Sequence, residues 1–362
     1  MKLISFVQQI MPPVLSMGCL AALALTTAPA KAKEQPWDIR AVVLTTYEIG
    51  EDTGDRAGEF QPWIEGEHLT EKVPFPLGIH PIYTDAQHHL LVVVTGTPIA
   101  PATTSIMALA TDPRFDLRHA YWMVDGISGF DPTVASVGSV SIADYVVGDI
   151  TRYIDKREAP KEWPYGYFMI TAQKPNQYAL SGGDAPDGSI QHNNAFQLNP
   201  SLVHWAYDLT QTVTLSDPPQ LEAQRKLYKP TDVAAGRPAV VSGGDFGSDT
   251  FWHGKIMTGF ARDWVHLLTQ GKGHFVSSDM EDSGILEALT RLGQAGRVDS
   301  SRVLVLRSAS NYTEQPHGMT AVQSMNSGYD GEKVALDNGY RVGSRIIHEL
   351  LQHWDKFGTQ TP

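Results

Sequence analysis

Ser277-Ser-Asp-Met-Glu-Asp-Ser-Gly284 and Val303-Leu-Val-Leu-Arg-Ser-Ala-Ser-Asn311 are the stretches that decide how this chain folds. The first closes a short strand, Phe275–Ser277, and opens a helix. The second is a fully apolar strand, Val303–Leu306, that ends in polar groups. Open α/β sheets hold their ligands at the carboxyl ends of strands, and both stretches deliver polar side chains there. In Met280-Glu281, a carboxylate for hydroxyls stands beside a thioether for an apolar face, which suits a sugar. Arg307 and Asn311 on the next edge suit a heterocyclic base. Together they predict a nucleoside pocket.

Outward from these stretches, Ile39–Thr45, Leu90–Val94, Tyr121–Val124 and Ala239–Ser242 read as strands, and Val137–Val147 as a strand pair. Helical patterns fall at Pro101–Ala110, Ser201–Thr212, Trp264–Thr269 and Ile285–Leu292. Residues 332–356 form a long helix with Ile346, Ile347, Leu350, Leu351 and Trp354 on one stripe. Strands alternate with helices, so the fold class is α/β. One domain is expected over residues 38–356, with an irregular excursion around 148–200.

The chain has 362 residues, 42% hydrophobic and 19% charged, which is globular composition. Its net charge of −12 argues against nucleic acid as a partner, since that surface needs an excess of Lys and Arg. Residues 1–32 read as a cleavable export signal: Lys2, an apolar stretch from Met17 to Leu25, then small residues allowing cleavage after Ala30 or Ala32. A periplasmic location is expected. Cleavage there would remove Cys19, the only cysteine. No later segment is long and apolar enough to span a membrane.

Glycines follow three strands, at Gly50, Gly96 and Gly126, where backbone N–H groups can approach a ligand. None fits a dinucleotide or triphosphate fingerprint. His348 and His353 imitate the zinc-protease pattern but stand five apart, about 140° round a helix, so no metal site is expected. Ser128 lacks the frame of a hydrolase elbow. The loop Gly247-Ser-Asp-Thr-Phe-Trp-His-Gly254 carries two aromatics that either stack a base or anchor the loop.

These residues resemble a family. Val303–Asn311 resembles the strand-end motif of nucleoside phosphorylases and nucleosidases, and Asp279-Met-Glu281 their ribose motif. Ile154-Asp-Lys-Arg-Glu-Ala-Pro160 and Ser248-Asp-Thr-Phe-Trp-His-Gly254 resemble the purine nucleoside permease family, a divergent branch of that fold. The resemblance implies a three-layer αβα fold with a mixed sheet, and a homo-oligomer. By carry-over, Glu281 accepts the ribose hydroxyls and Met280 packs on the sugar. Phe251 or Trp252 stacks the base, Asn311 faces its N7 and six-position group, and Glu48, with Glu51 as rival, activates water. Two departures stand out. Asn311 replaces the usual Asp, and an amide cannot donate the acid's proton; inosine or guanosine becomes the preferred substrate guess. Val124 and Ile127 fall where phosphorylases of this branch place Arg and Ser. Arg56, Arg152 and Arg157 are the cations that could compensate. No cofactor is expected, with phosphate a candidate co-substrate. The expected activity is cleavage of the N-glycosidic bond of purine nucleosides, by water or by phosphate. The alternative is a periplasmic nucleoside-binding protein that feeds an uptake system.

Overall fold

The structure, a computed structural model, describes residues 35–170, 172–178, 195–327 and 331–362. The expected export signal lies outside these residues. Ten strands build the main sheet: β1 (Ala41–Thr45), β2 (Glu71–Val73), β3 (Ile82–Thr84), β4 (Leu90–Val94), β5 (Tyr121–Phe130), β6 (Val140–Val147), β7 (Ala195–Gln197), β8 (Val240–Gly247), β9 (Phe275–Asp279) and β10 (Val303–Tyr312). Their order is β7-β6-β8-β9-β5-β1-β4-β3-β2, with β10 set against both β5 and β6. The sheet is mixed. β1 pairs in parallel with β4 and β5, whereas β3 pairs antiparallel with β4. Apolar runs such as AVVLT and LLVVV are buried at every position, as strands covered on both faces must be.

Helices cover the sheet: α1 (Gln61–Gly66), α2 (Ile99–Thr111), α3 (Pro200–Thr210), α4 (Pro219–Arg225), α5 (Lys255–Leu268), α6 (Asp282–Gln294), α7 (Ala321–Met325), α8 (Glu332–Gln352) and α9 (Trp354–Phe357). α2 packs on α6, while α8 packs on β5, β10, α1 and α3. The arrangement is the three-layer αβα fold. α8 buries Val342, Ile346, Ile347 and Leu350 at helical spacing, which drives its docking. Among the described residues, no helix is long and apolar enough to cross a membrane.

β10 has a second role. It runs parallel to β5 and antiparallel to β6, while the far end of β5 pairs with β9. Since β6 pairs with β8 and β8 with β9, the strands β5, β10, β6, β8 and β9 close a ring. Closure leaves these strands without a free edge.

Several expectations need correction. Val137–Val147 holds a single strand, β6 (Val140–Val147), rather than a pair. The strand at Tyr121 continues through Gly126 to Phe130, because its polar end pairs with β10 inside the ring. The helix expected at Trp264–Thr269 starts at Lys255, where Thr258, Phe260 and Ala261 already face inward. Within the excursion, Thr151–Tyr153 pairs with Tyr167–Met169, and Trp163 and Met169 join Phe260 and Trp264 in a separate apolar cluster. His348 sits against Glu67 and His353 against Glu349, both at the surface.

Candidate functional site

The turn from β9 into α6 is tied by Asp279. Its Oδ1 accepts the backbone N–H groups of Glu281 (2.6 Å) and Asp282 (2.7 Å), satisfying donors that a helix start leaves open. The carboxylate of Glu281 accepts the Thr97 hydroxyl. Behind the turn stands Arg307 on β10, 1% exposed. Its Nε donates to Asp282 Oδ2 at 2.9 Å, and its Nη2 to Asp279 and Glu281, each at 3.2 Å. One guanidinium cannot neutralise so many buried carboxyls. Burial pushes Glu281 and Asp282 up to about 7, even though Arg307 pulls both down. Asp279 stays below the usual range against the opposing effect of burial, because Arg307 and the turn's N–H groups favour its anion. Asp245 is raised well above its ordinary value, by burial first and then by Asp279. The Oδ2 atoms of Asp245 and Asp279 are both buried without another partner, and hydrogen bonding between the two carboxyls favours a proton on Asp245 and an anion on Asp279.

A second carboxyl enters from the loop after β1. Glu59, 4% exposed, accepts the Thr46 N–H (2.6 Å) and hydroxyl (2.8 Å) through Oε2, and the Ile127 N–H (2.7 Å) through Oε1. Burial raises its pKa to about 7, outweighing Arg307 and these hydrogen bonds. The loop returns because Glu48 binds it: its carboxylate accepts the N–H groups of Ile49 (2.7 Å), Gly58 (2.5 Å) and Gln61 (2.6 Å). Gly126 makes the approach possible, since a Cβ there would lie 2.4 Å from Arg307 Nη1 and 3.0 Å from Glu59 Oε1.

Glu59 and Glu281 border one cavity of about 280 Å³, together with Thr46, Tyr47, Thr97, Ile127, Ser128, Gly129, Phe251, Met280, Asn311 and Glu332. No Lys or Arg is among its described lining residues. The Ser128 hydroxyl is buried there without a partner. Glu332 is held by the Tyr47 hydroxyl at 3.0 Å and by Arg56 at 2.5 Å. Phe251 and Asn311 also border a second, narrow recess of about 50 Å³, lined by Gln224, Tyr228, His253, Tyr312, Met319 and Met325. A polar chamber and an aromatic recess thus share a wall. Asn311 stands on that wall. Its Oδ1 accepts the Ser310 hydroxyl at 2.8 Å, and its Nδ2 donates to the Tyr312 carbonyl at 3.2 Å.

Of the residues singled out by sequence, Met280, Glu281, Phe251 and Asn311 meet at the cavity. Others take different positions. Glu48 organises the loop and Glu59 faces the cavity in its place. Arg307 is the counter-ion of the carboxyl cluster, with its guanidinium fully engaged, instead of a base contact. Trp252 packs into the apolar cluster with Phe246 and Phe275, each at 6.1 Å, leaving Phe251 at the opening. Gly50 and Gly96 adopt positive φ (72° and 86°) in turns outside the cavity wall, and Gly126 lies within β5. Arg152 is turned to the Ala172 carbonyl and Arg157 to Asp155. Sequence reasoning missed Glu59, Thr97, His253 and Glu332. For Glu59 the only local signal was an acid-rich loop with five candidates, Glu48, Glu51, Asp52, Asp55 and Glu59. Asp245, Asp279 and Asp282 place carboxylate oxygens within 4.8 Å of one another, a spacing that could hold a cation. The Arg307 guanidinium already bonds two of them.

The model of a family described as purine nucleoside permease (NUP) matches residues 38–362. The purine nucleoside permease of Candida albicans is 30% identical over 308 residues, spanning 82% of this chain and 73% of that protein. A probable purine nucleoside permease of Schizosaccharomyces pombe is 30% identical over 281 residues, spanning 75% and 79%. Among solved structures, the 5′-methylthioadenosine/S-adenosylhomocysteine nucleosidase of Neisseria meningitidis aligns with a TM-score of 0.52 at 14% identity, covering 86% of this chain and 99% of that one. The Helicobacter pylori counterpart aligns at 0.51 and 15%, covering 88% and 100%. At such identities these likenesses concern the fold alone, that of nucleoside phosphorylases and nucleosidases.

Proposed function

The chain belongs to the purine nucleoside permease family, and we propose that it is a purine nucleosidase, cleaving the N-glycosidic bond with water. Glu281 accepts the ribose 2′- and 3′-hydroxyls, and Met280 packs on the sugar. Glu59 takes a proton from water as its oxygen bonds C1′ and the bond from C1′ to N9 breaks. The carboxylates around the chamber favour the ribosyl cation that forms on the way. Asn311 hydrogen-bonds N7 as negative charge gathers on the departing base.

One observation carries this reading: Glu59 is a buried carboxyl, poised to titrate near neutrality, on a cavity whose described walls hold Glu281 and no cation. A phosphate dianion in such a chamber would meet carboxylates and no Lys or Arg among the described wall residues. Water is therefore the favoured nucleophile. The absence of a span-length apolar helix among the described residues gives no support to transport by this chain alone.

The test is release of free base from inosine, guanosine and adenosine by the purified mature protein, with and without phosphate. Release without phosphate is expected. A strict need for phosphate would make the protein a phosphorylase. Saturable binding in calorimetry without release would favour the second reading, a periplasmic protein that hands nucleosides to a separate uptake system. Asn311, an amide where an acid would protonate the base, is the observation on that side. Export belongs to the proposal too: the mature amino terminus should begin after Ala30 or Ala32.

A further inference from the structure

The narrow recess beyond Asn311 contains an imidazole that the mechanism does not use. His253 lies on the loop between β8 and α5, and the loop is fastened to the end of β10. The Gly254 N–H donates to the Thr313 carbonyl at 2.8 Å, and the neighbouring Tyr312 backbone favours the protonated form of the His253 ring. Nε2 of the same ring is buried and has no partner. With the neutral ring's proton on Nδ1, Nε2 is a bare acceptor. Burial lowers the ring's pKa and keeps it neutral. The Tyr312 carbonyl receives Asn311 Nδ2 at 3.2 Å, and His253, Asn311 and Tyr312 line the same recess.

A histidine that merely fills space would have both nitrogens satisfied, because a buried polar atom without a bond is costly. The facing helix α4 repeats the pattern: Gln224 Oε1 lines the recess and is also buried without a partner. The Tyr228 hydroxyl cannot supply either one, since it donates to the Glu314 carbonyl at 2.9 Å. Two unfilled acceptors in one recess ask for a ligand that brings donors.

We propose that His253 is a specificity-determining residue whose Nε2 accepts a hydrogen bond from an N–H on the six-position edge of the purine. The proposal rests on the nucleoside reading of the cavity. Adenosine offers such a donor in its amino group, and inosine and guanosine offer one at N1. Purine riboside, which has neither, leaves the acceptor bare. Sites built to bond a donor discriminate strongly against an analogue that lacks it.

The test measures kcat/KM, or the calorimetric Kd if no turnover occurs, for adenosine, inosine and purine riboside. The wild type is compared with His253→Ala and His253→Gln, and each variant is scored as a ratio to wild type for each nucleoside. His253→Ala should lower the values for adenosine or inosine by about ten- to a hundred-fold while purine riboside changes less than about three-fold. His253→Gln, which returns an amide acceptor near the same place, should recover part of the loss. Equal losses on all three nucleosides would assign His253 a structural role and overturn the proposal, as would unchanged discrimination in His253→Ala. If the wild type neither cleaves nor binds any of them, the nucleosidase reading falls as well. If it acts on all three and only the ratios fail, that reading survives alone.

Discussion

Replacing Glu59 by Gln separates the chemical part of this carboxyl from its structural part. Its ordinary pKa of 4.5 rises to about 7 in the fold. A raised carboxyl contributes stability that is complete below the unfolded pKa and is lost as pH climbs through the folded one. The loss between about pH 4.5 and 7 amounts to about 3 kcal/mol. Glu59→Gln removes that loss. It also sets an amide NH₂ against the N–H of either Thr46 or Ile127, which costs about 1–3 kcal/mol. The variant should thus unfold near the wild-type midpoint at pH 8 and below it at pH 5. Activity should behave differently. A general base is worth about 10²- to 10⁴-fold, so base release should fall by that factor at pH 8. In the wild type, kcat/KM should rise with pH through about 7 as Glu59 and its neighbour Glu281 ionise, the limb belonging to the coupled pair. In the variant the rise should shrink to the part that belongs to Glu281. Free base followed from pH 5 to 9, alongside thermal unfolding, checks both. A variant that keeps more than about a tenth of wild-type kcat/KM, or a wild-type profile that is flat across neutrality, would refute the assignment.

Three further outcomes follow from the same geometry. Glu281→Ala should weaken ribonucleosides by about a hundred-fold, the worth of two charge-assisted bonds, and free bases hardly at all; equal losses in calorimetry would make Glu281 only a helix-start residue. Asp245→Asn should leave the unfolding midpoint nearly unchanged, because an amide reproduces the protonated carboxyl that bonds Asp279, whereas Asp279→Asn should lower it clearly. The two variants behaving alike would rule out the shared proton. Arg307→Met should destabilise the fold by about 3–5 kcal/mol in denaturant titrations, since it strips the counter-ion from buried carboxyls, and Arg307→Lys should not restore it, because an ammonium lacks the planar fork that reaches Asp279, Glu281 and Asp282 together.

The architecture was legible wherever burial on both faces wrote a continuous apolar run. Ala41–Thr45, Leu90–Val94 and Val303–Leu306 announced themselves as strands. The polar ends of β5 and β10 did not, because residues such as Asp125 and Ser308 are hidden only once α8 packs over them, with Trp63 of α1 also bound to Asp125. Met280-Glu281 was legible because the turn into α6 is local. Glu59 was not. Its place depends on Glu48 gathering N–H groups across the loop and on Gly126 leaving room on a strand far along the chain. Among five acids in a dozen residues, no local rule selects the one that ends up buried. Phe251 and Trp252 are adjacent and alike in composition, and only the packing of Phe246 and Phe275 decides which turns inward.

The closed ring of strands divides the molecule by how freely it can change. The chamber side, with Glu281 on the β9 turn and Arg307 on β10, is built on ring strands that pair on both edges. The far side of the recess comes from α4, α7 and the loop before α5, segments that hang outside the ring. Substitutions or length changes there leave the ring's ladders intact. If the chamber holds ribose and the recess the base, as proposed, the fold could change its base while keeping its sugar site, and grafting residues 219–228 and 319–327 from a relative would test that separation.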